Sequence, residues 1–224
     1  MIKLCVFDMD GLLLDSERQM YLRSGVETSK ELGRPIEEAF LTTLMGGSWT
    51  AYEKGILDNY GSDYPMDKYW EIFDKKVDQM INYESIPLRP GVIEVLDYCK
   101  EKGIQMAVAT STLYDDAIKC LSNSKLIDYF GYIVTGDMVE KTKPNPEVFL
   151  KAIEHFDISV NESLVFEDGH NGAHAAKNGN CRLILVEDLA YLSDEDKEYA
   201  EMVIDNINKV IEHIDKENET ASSL

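Results

Sequence analysis

Residues 3–15 read KLCVFDMDGLLLD: a short apolar run, two aspartates one position apart, a glycine, then three leucines. Lys3 to Phe7 has strand character and is too brief for a helix. A strand so uniformly apolar is one buried on both faces. Asp8 and Asp10 follow at its C-terminal end, where side chains at i and i+2 point the same way. Two carboxylates aimed together repel one another and resist desolvation. A fold keeps them only if a positive charge sits between them or one of them holds a proton.

Similar runs recur at Gln105–Ala109 (QMAVA), Tyr132–Val134, Ser163–Phe166 (SLVF) and Arg182–Val186 (RLILV). Helical periodicity fills most intervals: Val92, Ile93, Val95, Leu96 and Cys99 form an apolar stripe that stops near Gly103, Pro146–Phe156 opens on a proline, and a further helix over Ala173–Lys177 closes at Gly179. The alternation predicts an α/β fold, a parallel sheet with helices on both faces. One region breaks the rhythm. From Asp15 to about Ile86 no buried strand is legible; instead SERQMYLRSGVETSKELG (16–33) predicts a helix capped by Ser16, followed by helical segments near 36–43, 50–59 and 66–84. The expected organisation is a core of residues 1–14 and 88–224 with an inserted α-helical cap domain, 15–87, returning through the stiff linker IPLRPGV (86–92).

Ligands of open α/β sheets bind beyond the carboxyl ends of the strands. Collected there are Asp8 and Asp10; Thr110, Ser111 and Thr112 after QMAVA; Lys141 and Lys143 in GDMVEKTKPNP (136–146); and Glu167, Asp168 and Gly169 after SLVF. Clustered carboxylates suit a hard cation such as Mg²⁺ with a substrate phosphate among its ligands. Lys143 and Thr110 suit the remaining phosphate oxygens, since phosphoryl transfer depends on positioning and charge neutralisation. One carboxylate can then attack phosphorus and the other can move the proton. Lys141 reads as solvated.

FDMDG (7–11), ATST (109–112), KTKPNPEVF (141–149) and FEDGHNG (166–172) resemble, in order and spacing, the four motifs of the haloacid dehalogenase-like (HAD) superfamily, and most of all its β-phosphoglucomutase and sugar-phosphate phosphatase branch. The resemblance covers essentially the whole chain and implies a Rossmann-like core with a helical cap. By position it makes Asp8 the nucleophile and Asp10 the general acid/base with its backbone carbonyl on the metal. Thr110 and Ser111 fall in the phosphate-binding motif, Lys143 is the charge-neutralising lysine, and Glu167 and Asp168 are the acidic pair on Mg²⁺. True dehalogenases lack an aspartate matching Asp10, which disfavours halide chemistry. Three departures stand out: Met20 and Trp49, the candidate substrate-facing residues of the cap, occupy positions where β-phosphoglucomutases carry a hinge histidine and a phosphate-gripping arginine, and Gly169 replaces the serine of EDS. These point to a phosphatase acting on a small phosphorylated metabolite through an aspartyl-phosphate. The alternatives are a phosphosugar mutase and a catalytically silent binding module.

The net charge of −20 disfavours nucleic acid and anionic membranes as partners. Residues 187–224, with twelve acids against three bases, read as solvated surface. Cys5, Cys99, Cys120 and Cys181 form no CxxC pair and read as buried free thiols, and no leader or membrane span is apparent; a cytoplasmic location and a monomer or weak dimer are expected. His170 and His174 have the i, i+4 spacing of a zinc pair, but no third ligand is apparent, so His170 reads as a polar neighbour of the site and His174 as packing. Trp49, in the GGSW turn (46–49), reads equally as a core aromatic or as a substrate-facing wall.

Overall fold

A computed structural model describes residues 1–46 and 48–222; Gly47 of the GGSW turn lies outside the described residues. The strands and helices run in the order β1 (Leu4–Phe7), a π-helical stretch Glu17–Leu22 continuing into α1 (Arg23–Glu31), α2 (Glu38–Thr42), α3 (Trp49–Tyr60), α4 (Met66–Tyr83), α5 (Val92–Lys102), β2 (Gln105–Ala109), α6 (Tyr114–Asn123), β3 (Tyr132–Val134), α7 (Glu147–His155), β4 (Ser163–Glu167), α8 (His170–Asn178), β5 (Leu183–Val186), α9 (Asp194–Glu198), β6 (Met202–Ile204) and α10 (Val210–Ser222). All strand pairs are parallel, in the order β3-β2-β1-β4-β5-β6. Strand alternation divides the core. Cys5 and Phe7 face a layer containing Val95, Leu121 and Ile214, while Leu4 and Val6 face one containing Phe149, Ala152 and Ala176. Burial on both faces is why these strands read as unbroken apolar runs. All four cysteines are buried and free, as expected. Among the described residues no helix is long and apolar enough to cross a membrane.

Helices α1–α4 pack around an aromatic centre of their own, in which Tyr52, Tyr69 and Phe73 are buried and the Tyr52 and Tyr69 hydroxyls lie 2.6 Å apart. Ser48 Oγ caps α3 by accepting from the Ala51 amide. The predicted cap at Ser16 is not formed. Its hydroxyl accepts instead from the Gly11 amide, and the helix begins with π turns.

The two connections between insert and core lie side by side. Asp15 N donates to Pro87 O (2.8 Å) and Arg89 N donates to Leu13 O (3.0 Å), with Leu14 bridging Leu88. Beside them the fully buried Asp188 carboxylate pairs with Arg18 of the insert (2.5 Å) and Arg89 of the return connection (2.9 Å).

The acidic stretch 187–224 is more than solvated surface: it supplies the edge strand β6 and helix α10. Arg182, preceding β5, ties both down by donating to Glu201 (2.7 and 2.8 Å) and Glu217 (2.7 and 2.6 Å). Hydrogen bonding to Arg182 holds the Glu217 carboxyl below its usual range. Its stabilising contribution is therefore complete above the ordinary glutamate pKa and is lost as pH falls through the folded value. Arg182→Gln is expected to lower stability by about 1 kcal/mol at neutral pH, since the pairs are partly exposed and screened. That gap should close on acidification below about pH 4. Urea unfolding followed across this range checks it; a gap that widens in acid would contradict the assignment.

Candidate active site

Register sets the site. Phe7 lies opposite both Val108 and Phe166, so Asp8, Thr110 and Glu167 emerge together at the carboxyl ends of three adjacent strands. The chain order reverses on either side of β1, which opens a crevice there. The cleft, of about 240 Å³, is walled by Asp8, Asp10, Thr110, Ser111, Lys143, Glu167 and Asp168 from the core and by Glu17, Tyr21 and Trp49 from the insert.

Lys143 supplies the positive charge that the paired aspartates demanded. Its ammonium donates to Asp8 Oδ1 (2.5 Å) and Glu167 Oε1 (2.6 Å), with 6% of the side chain exposed, and rests 4.8 Å above the Phe149 ring. Lys141 is exposed, as expected. Glu167 Oε2 accepts from the Asp168 amide (2.9 Å) and the Gly169 amide (3.1 Å). Asp10 is held differently: Thr112 Oγ1 donates to its Oδ2 at 2.6 Å, Thr112 N donates to Thr110 Oγ1, and Asp10 Oδ1 is buried without a hydrogen-bond partner.

Donor oxygens of Asp8, Glu167 and Asp168 lie within 4.8 Å of one another. Burial pushes Asp8 up to about 8 despite Lys143, with Glu167 and Asp10 adding to the rise. Burial, then Glu167 and Asp8, push Asp168 well above the usual carboxylate range. One lysine does not balance this charge, so the residues fit a divalent cation. The fold makes room for them with glycines. A Cβ on Gly11, whose φ is +79°, would lie 2.1 Å from Asp168 Oδ2, and one on Gly172 would lie 1.8 Å from Glu167 Cδ. The Asp10 carboxylate, bonded to Thr112, is outside this cluster.

The insert's contribution differs from the expectation at one of two positions. Met20 is 1% exposed and packs in the main core with Leu12 and Ile86, so it does not line the cleft. Glu17 and Tyr21 of the π-helical stretch line it instead. Burial, helped by Asp10 and Asp188, pushes Glu17 up to about 7. No local signal in the sequence marks Glu17 or Tyr21. Trp49 combines both of its alternatives: it stands edge-on to Tyr21, Tyr52 and Phe73 (5.3–5.6 Å), and at 47% exposure it also walls the cleft. His170 lies on the cleft rim and is hydrogen-bonded to Asp196, which sequence reasoning missed because it sits in the charged run DEDKE (194–198).

Residues 5–186 match the family model described as haloacid dehalogenase-like hydrolase. A Thermotoga maritima protein named phosphorylated carbohydrates phosphatase is 32% identical over 182 residues, 80% of this chain and 82% of that protein. Among solved structures, CbbY from Rhodobacter sphaeroides in complex with phosphate superposes with a TM-score of 0.71 at 24% identity, covering 94% of this chain and 96% of that one. β-Phosphoglucomutase from Clostridium difficile gives a TM-score of 0.71 at 21% identity over the whole of both chains. These two structural likenesses speak to the fold.

Proposed function

Because this chain belongs to the haloacid dehalogenase-like hydrolase family and is a phosphoric monoester hydrolase, we propose that it cleaves a small phosphorylated sugar or polyol through an aspartyl-phosphate on Asp8. The observation that carries this reading is the Lys143 ammonium bridging Asp8 and Glu167 at the floor of a small cleft, with Thr110 and Asp168 alongside. The phosphatase name of the Thermotoga relative supports the substrate class.

In the first step an Asp8 oxygen attacks phosphorus as the bond to the leaving alkoxide breaks, and Asp10 delivers its proton to that alkoxide. In the second, Asp10 takes a proton from water as the water attacks phosphorus, releasing phosphate and restoring Asp8. Thr112 fixes one Asp10 oxygen and leaves the other to carry the proton. Lys143 works against the burial that raises the Asp8 pKa and offers positive charge to the phosphoryl oxygens. Asp8, Glu167, Asp168 and the Asp10 backbone carbonyl would hold Mg²⁺, which when bound neutralises phosphate charge. Thr110 and Ser111 contact the remaining phosphate oxygens, and Trp49, Tyr21 and Glu17 face the rest of the substrate. A mutase is disfavoured because Met20, buried in the core, offers no proton-transfer group at the hinge and Trp49 no cation for a second phosphate.

Phosphate release over a panel of phosphorylated sugars and polyols with Mg²⁺ tests the proposal. Release from several members is expected; hexose-phosphate interconversion without free phosphate would replace this reading with the mutase. Asp10→Asn gives a sharper view of the proton. With an aryl phosphate, whose phenolate leaves unaided, the variant should show a burst of phenol matching the enzyme and then slow turnover. With a sugar phosphate there should be no burst, and the rate should fall by roughly 10²–10⁴-fold. Equal losses on both substrates without a burst would remove Asp10 from this role.

A further inference from the structure

Beside the catalytic cleft, α8 carries two histidines one turn apart, and both point at one residue of α9. His170 Nδ1 lies 2.8 Å and His174 Nε2 3.3 Å from the same oxygen, Oδ1, of the fully buried Asp196. The two rings are 4.2 Å apart between centroids and tilted by 54°. The other Asp196 oxygen is already committed, accepting from Ser193 N (2.8 Å) and Ser193 Oγ (2.7 Å) in a capping box. The His170 contact is a hydrogen bond; the His174 contact lacks the geometry of one, and His174 Nε2 is buried with no hydrogen-bond partner.

An imidazole nitrogen turned toward a carboxylate, desolvated and unbonded, is a costly arrangement for a protein to keep, on the order of 1–3 kcal/mol. A cation among the three groups removes that cost, and all three donor atoms lie within 4.8 Å of one another. We propose that His170, His174 and Asp196 form a second metal site, separate from the catalytic carboxylates, for a borderline divalent cation of the zinc class.

The donor set decides the class. Two neutral imidazoles and one carboxylate suit zinc and its neighbours, whereas Mg²⁺ prefers oxygen throughout. Histidines at i and i+4 present their nitrogens on one helix face, the spacing used for zinc on helices. Ser193 orients the carboxylate from behind, as the hydrogen-bonding groups around metal ligands commonly do. Three protein ligands leave a fourth position for water, and His170, more than half exposed, gives solvent access to it. The third ligand lies 22 residues beyond His174, in a helix of only five residues, so the pair of histidines alone did not reveal it. An ion here would fasten the first turn of α8, which directly follows Glu167 and Asp168, to α9. The site stands independently of the hydrolytic reading.

The test uses full-length protein stripped of metal and bearing Asp168→Asn, in excess Mg²⁺, so that the catalytic carboxylates do not compete. Titration with Co²⁺ should give the visible d–d bands of a four-coordinate site at a single equivalent, and Zn²⁺ should displace it. His170→Gln and His174→Gln, each added to that background, should weaken Co²⁺ binding by on the order of 100-fold. Because His170 is largely exposed, its variant leaves packing intact and keeps the experiment readable should the His174 variant unfold. Zn²⁺ should also raise the thermal midpoint of the Asp168→Asn protein, and this rise should disappear with His170→Gln. Absence of Co²⁺ bands, or bands and affinity unchanged by His170→Gln, would overturn the site and leave a hydrogen-bonded His–Asp cluster.

Discussion

Asp8→Asn is expected to abolish phosphate release, with a loss of at least about 10⁴-fold, equivalent to roughly 5.5 kcal/mol of activation free energy. The substitution keeps the side-chain shape, and the amide oxygen can still accept from Lys143, so the cleft is preserved while the nucleophile is not. Stability should move the other way or not at all. Burial pushes Asp8 up to about 8, with Glu167 and Asp10 contributing. Around neutral pH the buried carboxyl therefore opposes folding; this penalty builds as pH rises from the ordinary carboxylate range toward the folded pKa and is level above it. The asparagine removes it. Thermal unfolding without added metal should show a midpoint at or above that of the unsubstituted protein, with the difference growing from acid pH up to about pH 8 and holding level beyond. Turnover surviving in this variant would end the aspartyl-phosphate mechanism, and a sharply lowered midpoint would show that the loss of activity came from misfolding.

The second large effect concerns space. Gly172 lies in the first turn of α8 directly against Glu167, where an added Cβ would stand 1.8 Å from both Cδ and Oε1. Glu167 cannot yield cheaply, since Lys143 and the amides of Asp168 and Gly169 all bond to it. Gly172→Ala must therefore displace α8 or tear the carboxylate from its partners, leaving a buried charge unpaired. The expected cost is about 3–4 kcal/mol of stability with turnover reduced at least ~100-fold. Gly169→Ala is the contrast: its Cβ would find Glu167 Oε2 at 3.8 Å, an ordinary contact, and stability should stay within about 0.5 kcal/mol. Urea unfolding and phosphate release on both variants give the comparison. Equal tolerance at the two glycines would place Glu167 elsewhere.

The two glycines illustrate what a sequence shows and what it hides. The fourth motif was legible as a string, FEDGHNG, but the reason for its last glycine appears only when α8 folds back over Glu167. Strands buried on both faces, such as Leu4–Phe7, are written in composition and were readable nearly to the residue. β6 was not, because Met202–Ile204 is three residues long, leaves Val203 partly exposed and lies among acids. Asp8, Asp10, Thr110, Lys143, Glu167 and Asp168 were readable since each follows a strand at the same edge of the sheet. Glu17 and Tyr21 were hidden because nothing in their local sequence marks them, while Met20 between them faces the core. Asp196 was hidden by its neighbours: in DEDKE nothing distinguishes the one acid that faces inward.

The paired connections at residues 13–15 and 87–89 carry a mechanical consequence. Two chain segments cross from core to insert side by side and are stitched by backbone hydrogen bonds, so together they resist twisting as a door plate does, whereas a single strand would swivel. Asp188 belongs to the core, and it grips one arginine on the insert and one on the return crossing. That grip adds a buried charged clasp to the stitched pair. Glu17, Tyr21 and Trp49, which wall the cleft, are all carried on the far side of this double crossing. How that wall stands over the carboxylates is therefore fixed at the crossing as well as within the cleft.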